Sequence, residues 1–315
     1  AFFDFDCGQS ELTPPGFVAM TVKEEPFLKP AFASLHDRNA IMKMKFYGDM
    51  SPSEDHKRYL KTCEELLLES QVDTNTPIVI NTLGWISGLG FALLAHLLHS
   101  IRPTHVLAFS EDLKDDYVSK ALFFKTKLPN DRPYTTVDAA QTAIAYFPHF
   151  VPNATNVNMA RFSPADSRSL SFWCYFYGTT SGFDFGQHLA KRQPYVIGVD
   201  QLKINFLKPT TQRQFWPKLN CALVALHASN TECLGMGFIR AVDPAKRLIY
   251  LLTPVDILQL GTCDTMTVSS IALPPAIFTH GNMLDGPYLN FQSAIETHGF
   301  HQRKVRHNIA RGSTR

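Results

Sequence analysis

The sequence predicts an α/β fold, a parallel sheet flanked by helices, followed by a smaller and largely β C-terminal domain. Three observations carry that prediction. Short, continuously apolar runs recur at Ala1-Phe2-Phe3, Pro77-Ile78-Val79-Ile80 and Thr104 to Phe109, the pattern of strands buried on both faces. Two stretches of helical periodicity separate them, giving the order strand, helix, strand, helix, strand. From Tyr195 onward the pattern changes to short β-rich runs alternating with turns. The boundary falls near Gly178, so residues 1–180 and residues 181–315 are expected to form the two domains.

The first strand runs into an acidic, glycine-bearing loop, Asp4-Phe5-Asp6-Cys7-Gly8-Gln9-Ser10-Glu11, closed by the stiff Pro14-Pro15-Gly16. A turn at Tyr47 to Pro52 leads into a helix over Glu54 to Ser70, capped by Ser51 or Ser53. Its apolar face is Tyr59, Leu60, Cys63, Leu66 and Leu67. The second strand opens onto Asn81 to Gly90 and a helix through Leu93, Leu97 and Ile101, which Pro103 stops. Between Ser110 and Ser163 periodicity weakens and no element is assigned. A further helix starts at Ser163-Pro164, with the serine as cap and the proline in the first turn, and carries Arg168, Phe172, Trp173 and Tyr175. The later strands are expected at Tyr195–Val199, Cys221–His227, Gly235–Val242 and Arg247–Thr253.

Composition bounds the function. With 315 residues, 45% hydrophobic and 18% charged, the chain buries a full core. Its six cysteines are widely spaced with no C-x-x-C pair, which argues for free thiols and against structural zinc. The apolar stretch Phe91 to Ile101 is too short to span a bilayer and carries His96 and His99, so it reads as a core helix and no membrane association is expected. The net charge of +2 hides an asymmetry, because residues 1–100 carry 8 Lys/Arg against 13 Asp/Glu and residues 101–315 carry 22 against 15. The tail from His301, with Arg303, Lys304, Arg306, Arg311 and Arg315 and no acid, suits phosphate backbones or is simply a solvated terminus.

Several residues could carry chemistry. Ligands of open α/β sheets sit at the carboxyl ends of the strands, where Asp4 and Asp6 stand. The two carboxylates either hold magnesium and take a proton from a hydroxyl, or cap the loop. Gln9 and Glu11 are placed to orient substrate or water. Gly84, Gly88 and Gly90 would let backbone approach a ligand closely, and Trp85 on that glycine-flanked loop either stacks on a nucleobase or plugs the core. Arg168 is a candidate for stabilising a transferring phosphoryl group. His96 and His99 lack a third ligand at metal spacing.

Taken together, D-x-D-x-G-Q-x-E-x-T-P-P-G at Asp4 to Gly16, the turn Tyr47-Gly48-Asp49-Met50-Ser51-Pro52, I-N-T-x-G-W at Ile80 to Trp85, and Arg168 seven residues before Tyr175 resemble the polynucleotide 5′-hydroxyl kinases. The T-P-P-G ending, Arg247 to Pro254, Leu273-Pro274-Pro275 and the Arg303–Arg311 stretch are most similar to the nucleolar, pre-ribosomal-RNA branch of that family. The resemblance implies a P-loop-kinase-like sheet and transfer of the γ-phosphate of ATP, with Mg2+, to the 5′-hydroxyl of RNA. It further implies action beside a pre-rRNA spacer endoribonuclease, in the nucleolus of the nucleus. By the same resemblance Asp4 and Asp6 match the magnesium and base positions, with Asp6 favoured as base. Thr82, Gly84 and Trp85 match the clasp on the terminal nucleotide, with Gln9 and Glu11 beside the substrate. Arg168 matches a lid arginine, with Arg161 a poorer candidate.

One departure matters. No G-x-x-x-x-G-K-[ST], the loop that cradles nucleotide phosphates, occurs in residues 1–315. The family carries that loop just upstream of the position where this sequence begins. The expectation is therefore a kinase lacking its first strand, P-loop and helix, inactive as it stands. The rival expectations are a non-catalytic scaffold for RNA or the nuclease on a degenerate nucleotide fold, and a GTPase-like switch, which accounts poorly for Trp85 and Arg168.

Overall fold

The computed structural model describes residues 1–35, 41–73, 75–110, 116–123, 142–148, 163–179, 182–183, 192–229 and 232–273. The chain divides into two compact units, Ala1–Phe185 and Gly186–Arg315. In the first, β1 (Phe2–Asp4), β2 (Phe17–Thr21), the short α1 (Ala31–Ser34), β3 (Lys43–Phe46), α2 (His56–Glu69), β4 (Val79–Asn81), α3 (Leu89–Ile101) and β5 (His105–Ser110) follow one another. They lead to α4 (Tyr117–Phe123), β6 (Ala143–Pro148), α5 (Pro164–Tyr177) and a small hairpin of β7 (Gly178–Thr179) and β8 (Gly182–Phe183).

The expected parallel pairing of β1 with β4 is present, in a register that sets Asp4 opposite Asn81. The sheet is mixed, however, with the order β3-β2-β1-β4 and antiparallel β1–β2 and β2–β3 pairs. The β2–β3 extension was not anticipated. All five residues of β2 are buried, so it lacks the alternation of a half-buried strand, and its partner lies beyond a long proline-spaced connection. The expected third parallel strand, β5, pairs in parallel with β6, which lies in the stretch where no element was assigned.

Helix α2 docks through Tyr59, Leu60, Cys63 and Leu66, which join Phe3, Phe5, Val18, Met20, Tyr47, Leu93 and Leu97 in one core. Burial of each large apolar side chain stabilises by roughly 1.5–3 kcal/mol. The ion pair between Lys45 of β3 and Glu69 of this helix, at the surface, contributes at most about 1 kcal/mol, so packing sets the helix position. The cap of α2 is neither Ser51 nor Ser53. Their hydroxyls bond each other at 3.2 Å, and the Asp55 carboxylate accepts the Arg58 amide at 3.0 Å instead. Helix α3 is apolar all round because it faces two cores: Leu93 and Leu97 enter the first, whereas Ala95 and Leu98 meet Ala108 of β5 with Val118, Ala121 and Leu122 of α4. It ends at Ile101, with Arg102 left-handed (φ 53°) one residue before Pro103. Within α3, His96 is buried and bonds Glu64 of α2 at 3.0 Å, an interhelical tie. Among the described residues no group of three or more His, Cys, Asp and Glu is arranged to hold a metal ion, and no helix is long and apolar enough to cross a membrane.

The second unit is built on a six-stranded sheet. Its elements are β9 (Tyr195–Gly198), β10 (Lys203–Phe206), α6 (Phe215–Leu219), β11 (Leu223–Ala228), β12 (Cys233–Asp243), β13 (Leu248–Leu252), α7 (Ile257–Leu260) and β14 (Cys263–Val268). The order is β10-β14-β11-β12-β13-β9, antiparallel except for the β10–β14 pair. The four strands expected here are present, and β10 and β14 are additional. Their polar alternation, Lys203-Ile204-Asn205-Phe206 and Asp264-Thr265-Met266-Thr267-Val268, gives a weaker signal than the continuous apolar run at Ala222 to Leu226. The core gathers Leu219, Val224, Leu226, Ile239, Ile249, Leu251 and Met266. All six cysteines are free.

A candidate active site at the end of the first strand

Asp4 closes β1 and is fully buried. Its carboxylate accepts four hydrogen bonds. Oδ1 takes the Asp6 amide at 3.1 Å and Asn81 Nδ2 at 3.0 Å, and Oδ2 takes the Ser10 hydroxyl at 2.9 Å and the Glu11 amide at 2.5 Å. A carboxylate offers about four acceptor positions, and here each meets a donor from the protein. Burial pushes the Asp4 carboxyl above its ordinary range, and the four donors pull against that shift. Through these bonds Asp4 gathers loop 6–11 and, by way of Asn81, ties it to the end of β4.

Asp6 is held differently. Its Oδ1 accepts the amides of Gly8 at 2.9 Å and Gln9 at 3.0 Å, whereas Oδ2 accepts no hydrogen bond from the described residues. One carboxylate oxygen is thus fixed by the loop and the other is open. A Cβ on Gly8 would stand 2.7 Å from the Met50 carbonyl oxygen and 3.4 Å from Asp6 Oδ1, so glycine there lets the 47–50 turn close against the loop. Gly16, at φ 102°, lets the chain reverse, and its carbonyl accepts the amides of Tyr47 and Gly48. The Tyr59 hydroxyl reaches from α2 to the Phe5 carbonyl at 2.9 Å. Glu11 is half-buried, and desolvation together with the Asp4 charge raises its carboxyl. The Cys7 thiol is raised well above its ordinary value by burial first and then by the Asp6 charge, so it stays protonated and inert at neutral pH.

Thr82, Gly84 and Trp85 follow β4 directly, so the Asp4–Asn81 bond brings their loop to the same sheet edge as Asp6, Gln9 and Glu11. Gln9 and Gly84 are exposed; Thr82 and Trp85 are half-buried. Nothing lies within 4 Å of the point a Gly84 Cβ would occupy, so that side of the loop is open. Gly90 differs from the expectation. A Cβ there would stand 2.2 Å from the Trp85 carbonyl oxygen and 2.3 Å from Trp85 Cγ, so its missing side chain admits Trp85 rather than a ligand. Gly90→Ala should therefore displace the 82–88 loop, shifting Trp85 fluorescence relative to a Trp85→Phe reference while leaving the second unit's β circular dichroism unchanged. An unaltered Trp85 signal would show that the indole is not seated on Gly90.

Arg168 stands half-buried on the second turn of α5, whose start is fixed by a capping box in which Ser163 Oγ accepts the Asp166 amide and Asp166 accepts the Ser163 amide at 2.9 Å. Arg161 and the basic tail from His301 lie outside the described residues. Sequence reasoning did not single out Asn81 and Ser10 as site residues. Asn81 was visible within I-N-T-x-G-W, but its partnership with Asp4 exists only in the β1–β4 register.

The fold and this polar strand end define an α/β protein with a candidate site at the carboxyl end of β1. Two family profiles match the chain: the one described as mRNA cleavage and polyadenylation factor CLP1 P-loop over residues 1–131, and the one described as NOL9-like, C-terminal domain over residues 190–274. Curated relatives named polynucleotide 5′-hydroxyl-kinase NOL9 are 26% identical in Arabidopsis thaliana, over 88% of this chain and 78% of the relative, and 25% identical in Homo sapiens, over 91% and 47%. The Schizosaccharomyces pombe polynucleotide 5′-hydroxyl-kinase grc3 is 25% identical over 100% of this chain and 50% of its own length. Solved structures of Clp1p with Pcf11p share the fold at TM-scores of 0.54 and 0.52 and 17% identity, over 86% of this chain and 67% and 66% of theirs. The chain is thus similar over most of its length, at 25–26% identity, to relatives named polynucleotide 5′-hydroxyl-kinase NOL9 and grc3. It spans about half the length of most of these curated relatives.

Proposed function

We propose that the protein of which these residues are part transfers the γ-phosphate of ATP to the 5′-hydroxyl of RNA during pre-ribosomal RNA processing in the nucleolus, beside a spacer endoribonuclease. The observation that carries the reading is Asp6, whose Oδ1 is locked by two amides while Oδ2 is open at the carboxyl end of β1. In that position Oδ2 takes the proton of the attacking hydroxyl, as a general base must. Asp4, with every acceptor position filled, holds the loop in place and neither binds metal nor takes a proton. Trp85 stacks on the terminal base, Thr82 and Gly84 shape the loop beside it, Gln9 and Glu11 orient the sugar end, and Arg168 offsets phosphate charge.

Magnesium takes oxygen ligands, keeps several waters, and is commonly held by one or two carboxylates, a donor type that the carboxylates of the 4–11 loop supply. When bound, the ion would neutralise charge on the transferring phosphoryl group. The nucleotide triphosphate finds no such fit, since G-x-x-x-x-G-K-[ST] is absent from residues 1–315. That absence also favours a second reading, a non-catalytic scaffold binding pre-rRNA or the nuclease. The test is phosphorylation of a 5′-hydroxyl RNA oligonucleotide with labelled ATP and Mg2+. The 315 residues alone should transfer nothing, and the full-length protein should label the 5′ end, with Trp85→Ala lowering transfer by ~5- to ~150-fold, as expected for about 1–3 kcal/mol of stacking. A full-length protein that binds RNA without labelling it would establish the scaffold.

A further inference from the structure

We infer that Tyr59 of α2 is a positioning residue for Asp6, holding the peptide that carries Asp6 so that its open oxygen keeps one direction; this rests on the reading of Asp6 as the base. The sequence places Tyr59 only on the apolar face of α2, as one core residue among several. In the structure its hydroxyl donates to the Phe5 carbonyl at 2.9 Å, across 54 residues of chain. Tyr59 and Phe5 are both fully buried.

The place of that bond gives it its consequence. The Phe5 carbonyl and the Asp6 amide belong to one planar peptide unit, whose amide end is held by Asp4 Oδ1 at 3.1 Å. Turning the plane would change φ of Asp6 and swing its Cβ. Tyr59 and Asp4 therefore fix the base from two sides, one reaching from α2 and the other from the end of β1. The neighbouring units are tied by backbone: the Phe5 amide donates to the Asn81 carbonyl at 3.0 Å, and the Cys7 carbonyl accepts the Gly16 amide at 2.8 Å.

Tyr59 is itself held still. It joins Leu60, Cys63 and Leu66 in the first core, and its ring meets that of Tyr47 edge-on, with centroids 5.6 Å apart. Tyr47 in turn donates to the Ser51 carbonyl at 3.1 Å, so the ring that braces Tyr59 has its own anchor. Burial first, then the neighbouring Cys63 and Cys7, raises the Tyr59 hydroxyl well above its ordinary range, so it remains a donor at working pH. A reacting group has to be held within about 0.5 Å by groups whose own positions are locked, and Tyr59 meets that requirement for the Asp6 loop.

The test is steady-state kinetics of the full-length protein on a 5′-hydroxyl RNA oligonucleotide with ATP and Mg2+. Tyr59→Phe keeps the ring in its core site and removes one oxygen. It should lower kcat by ~10- to ~100-fold, the scale of a small misplacement of a reacting group, with KM for the RNA within about twofold of the parent. Asp6→Asn/Tyr59→Phe should be no slower than Asp6→Asn alone, because Tyr59 acts through Asp6. Thr62→Val removes a different hydroxyl from the same helix, one that donates to the Arg58 carbonyl at 2.7 Å, and should leave kcat unchanged. Hydrogen–deuterium exchange gives a readout independent of activity: the amides of residues 6–9 should exchange faster in Tyr59→Phe while those of α2 stay protected. A Tyr59→Phe protein with the parent kcat, a loss that multiplies with that of Asp6→Asn, or unchanged exchange at residues 6–9 would each overturn the inference. If Asp6→Asn loses transfer and Tyr59→Phe does not, Asp6 remains the base and the positioning role alone fails; full transfer by Asp6→Asn removes the base reading and the inference with it.

Discussion

Asp4→Asn is expected to lower the unfolding midpoint of the first unit by roughly 8–16 °C, although it changes a single atom. The carboxylate meets four donors and no acceptors: the amides of Asp6 and Glu11, the Ser10 hydroxyl and Asn81 Nδ2. An asparagine keeps one oxygen and turns an NH2 group toward two of these donors, so two buried donors lose their partner and two new donors find none. Each orphaned buried donor costs about 1–3 kcal/mol, so the four of them cost about 4 kcal/mol even at the low end. In a domain of this size 1 kcal/mol moves the midpoint by roughly 2–4 °C. Relief of the burial that raises the Asp4 carboxyl works in the opposite direction, because asparagine carries no charge to desolvate. The prediction is that lost hydrogen bonding outweighs that relief. Asn81→Ala, which removes one of the four donors, should cost less, and the Ser10→Ala change should loosen Leu12 and Thr13 as well, since the Ser10 oxygen accepts both of their amides at 3.1 Å. Thermal melts followed by circular dichroism decide the matter, and an Asp4→Asn midpoint within a degree of the parent would rule out the four-bond hub.

The same residues show what could be read before the fold was known. Strands β1 and β4 and helices α2, α3 and α5 carry their signals locally, in apolar runs, in 3.6-residue periodicity and in the Ser163-Pro164 start. Register does not. That Asp4 lies opposite Asn81, and therefore that one carboxylate spans two loops, depends on which strands pair. The burial of β2 on every residue hides its alternation, and the lysines of β3 look like surface. Gly90 is a case of the right residue with the wrong reason: a glycine near a ligand loop suggests a close approach, and there is one, but the approaching group is Trp85 of the same chain. Spacing alone gives Asp4 and Asp6 the same chemistry, and it was the family resemblance that favoured Asp6 as base. In the structure the partners of their oxygens tell them apart.

That distinction yields the second large effect. Asp6→Asn should leave the midpoint within about 1 °C of the parent and reduce 5′-phosphorylation by the full-length protein by ~10²–10⁴-fold, the range that a positioned general base contributes. The asparagine Oδ1 still accepts the amides of Gly8 and Gln9, so the loop keeps its shape, and the new NH2 group occupies the position of Oδ2, which accepts no bond from the described residues. Stability is spared for the reason that Asp4→Asn is costly: the open oxygen has no donor to lose. If Asp6 also holds magnesium, raising the Mg2+ concentration would recover part of the loss, whereas a base-only role would leave the loss independent of metal. An Asp6→Asn protein that keeps full transfer would move the base elsewhere on the 5–11 loop, with Glu11, whose carboxyl is already raised by burial and by Asp4, the next group to substitute.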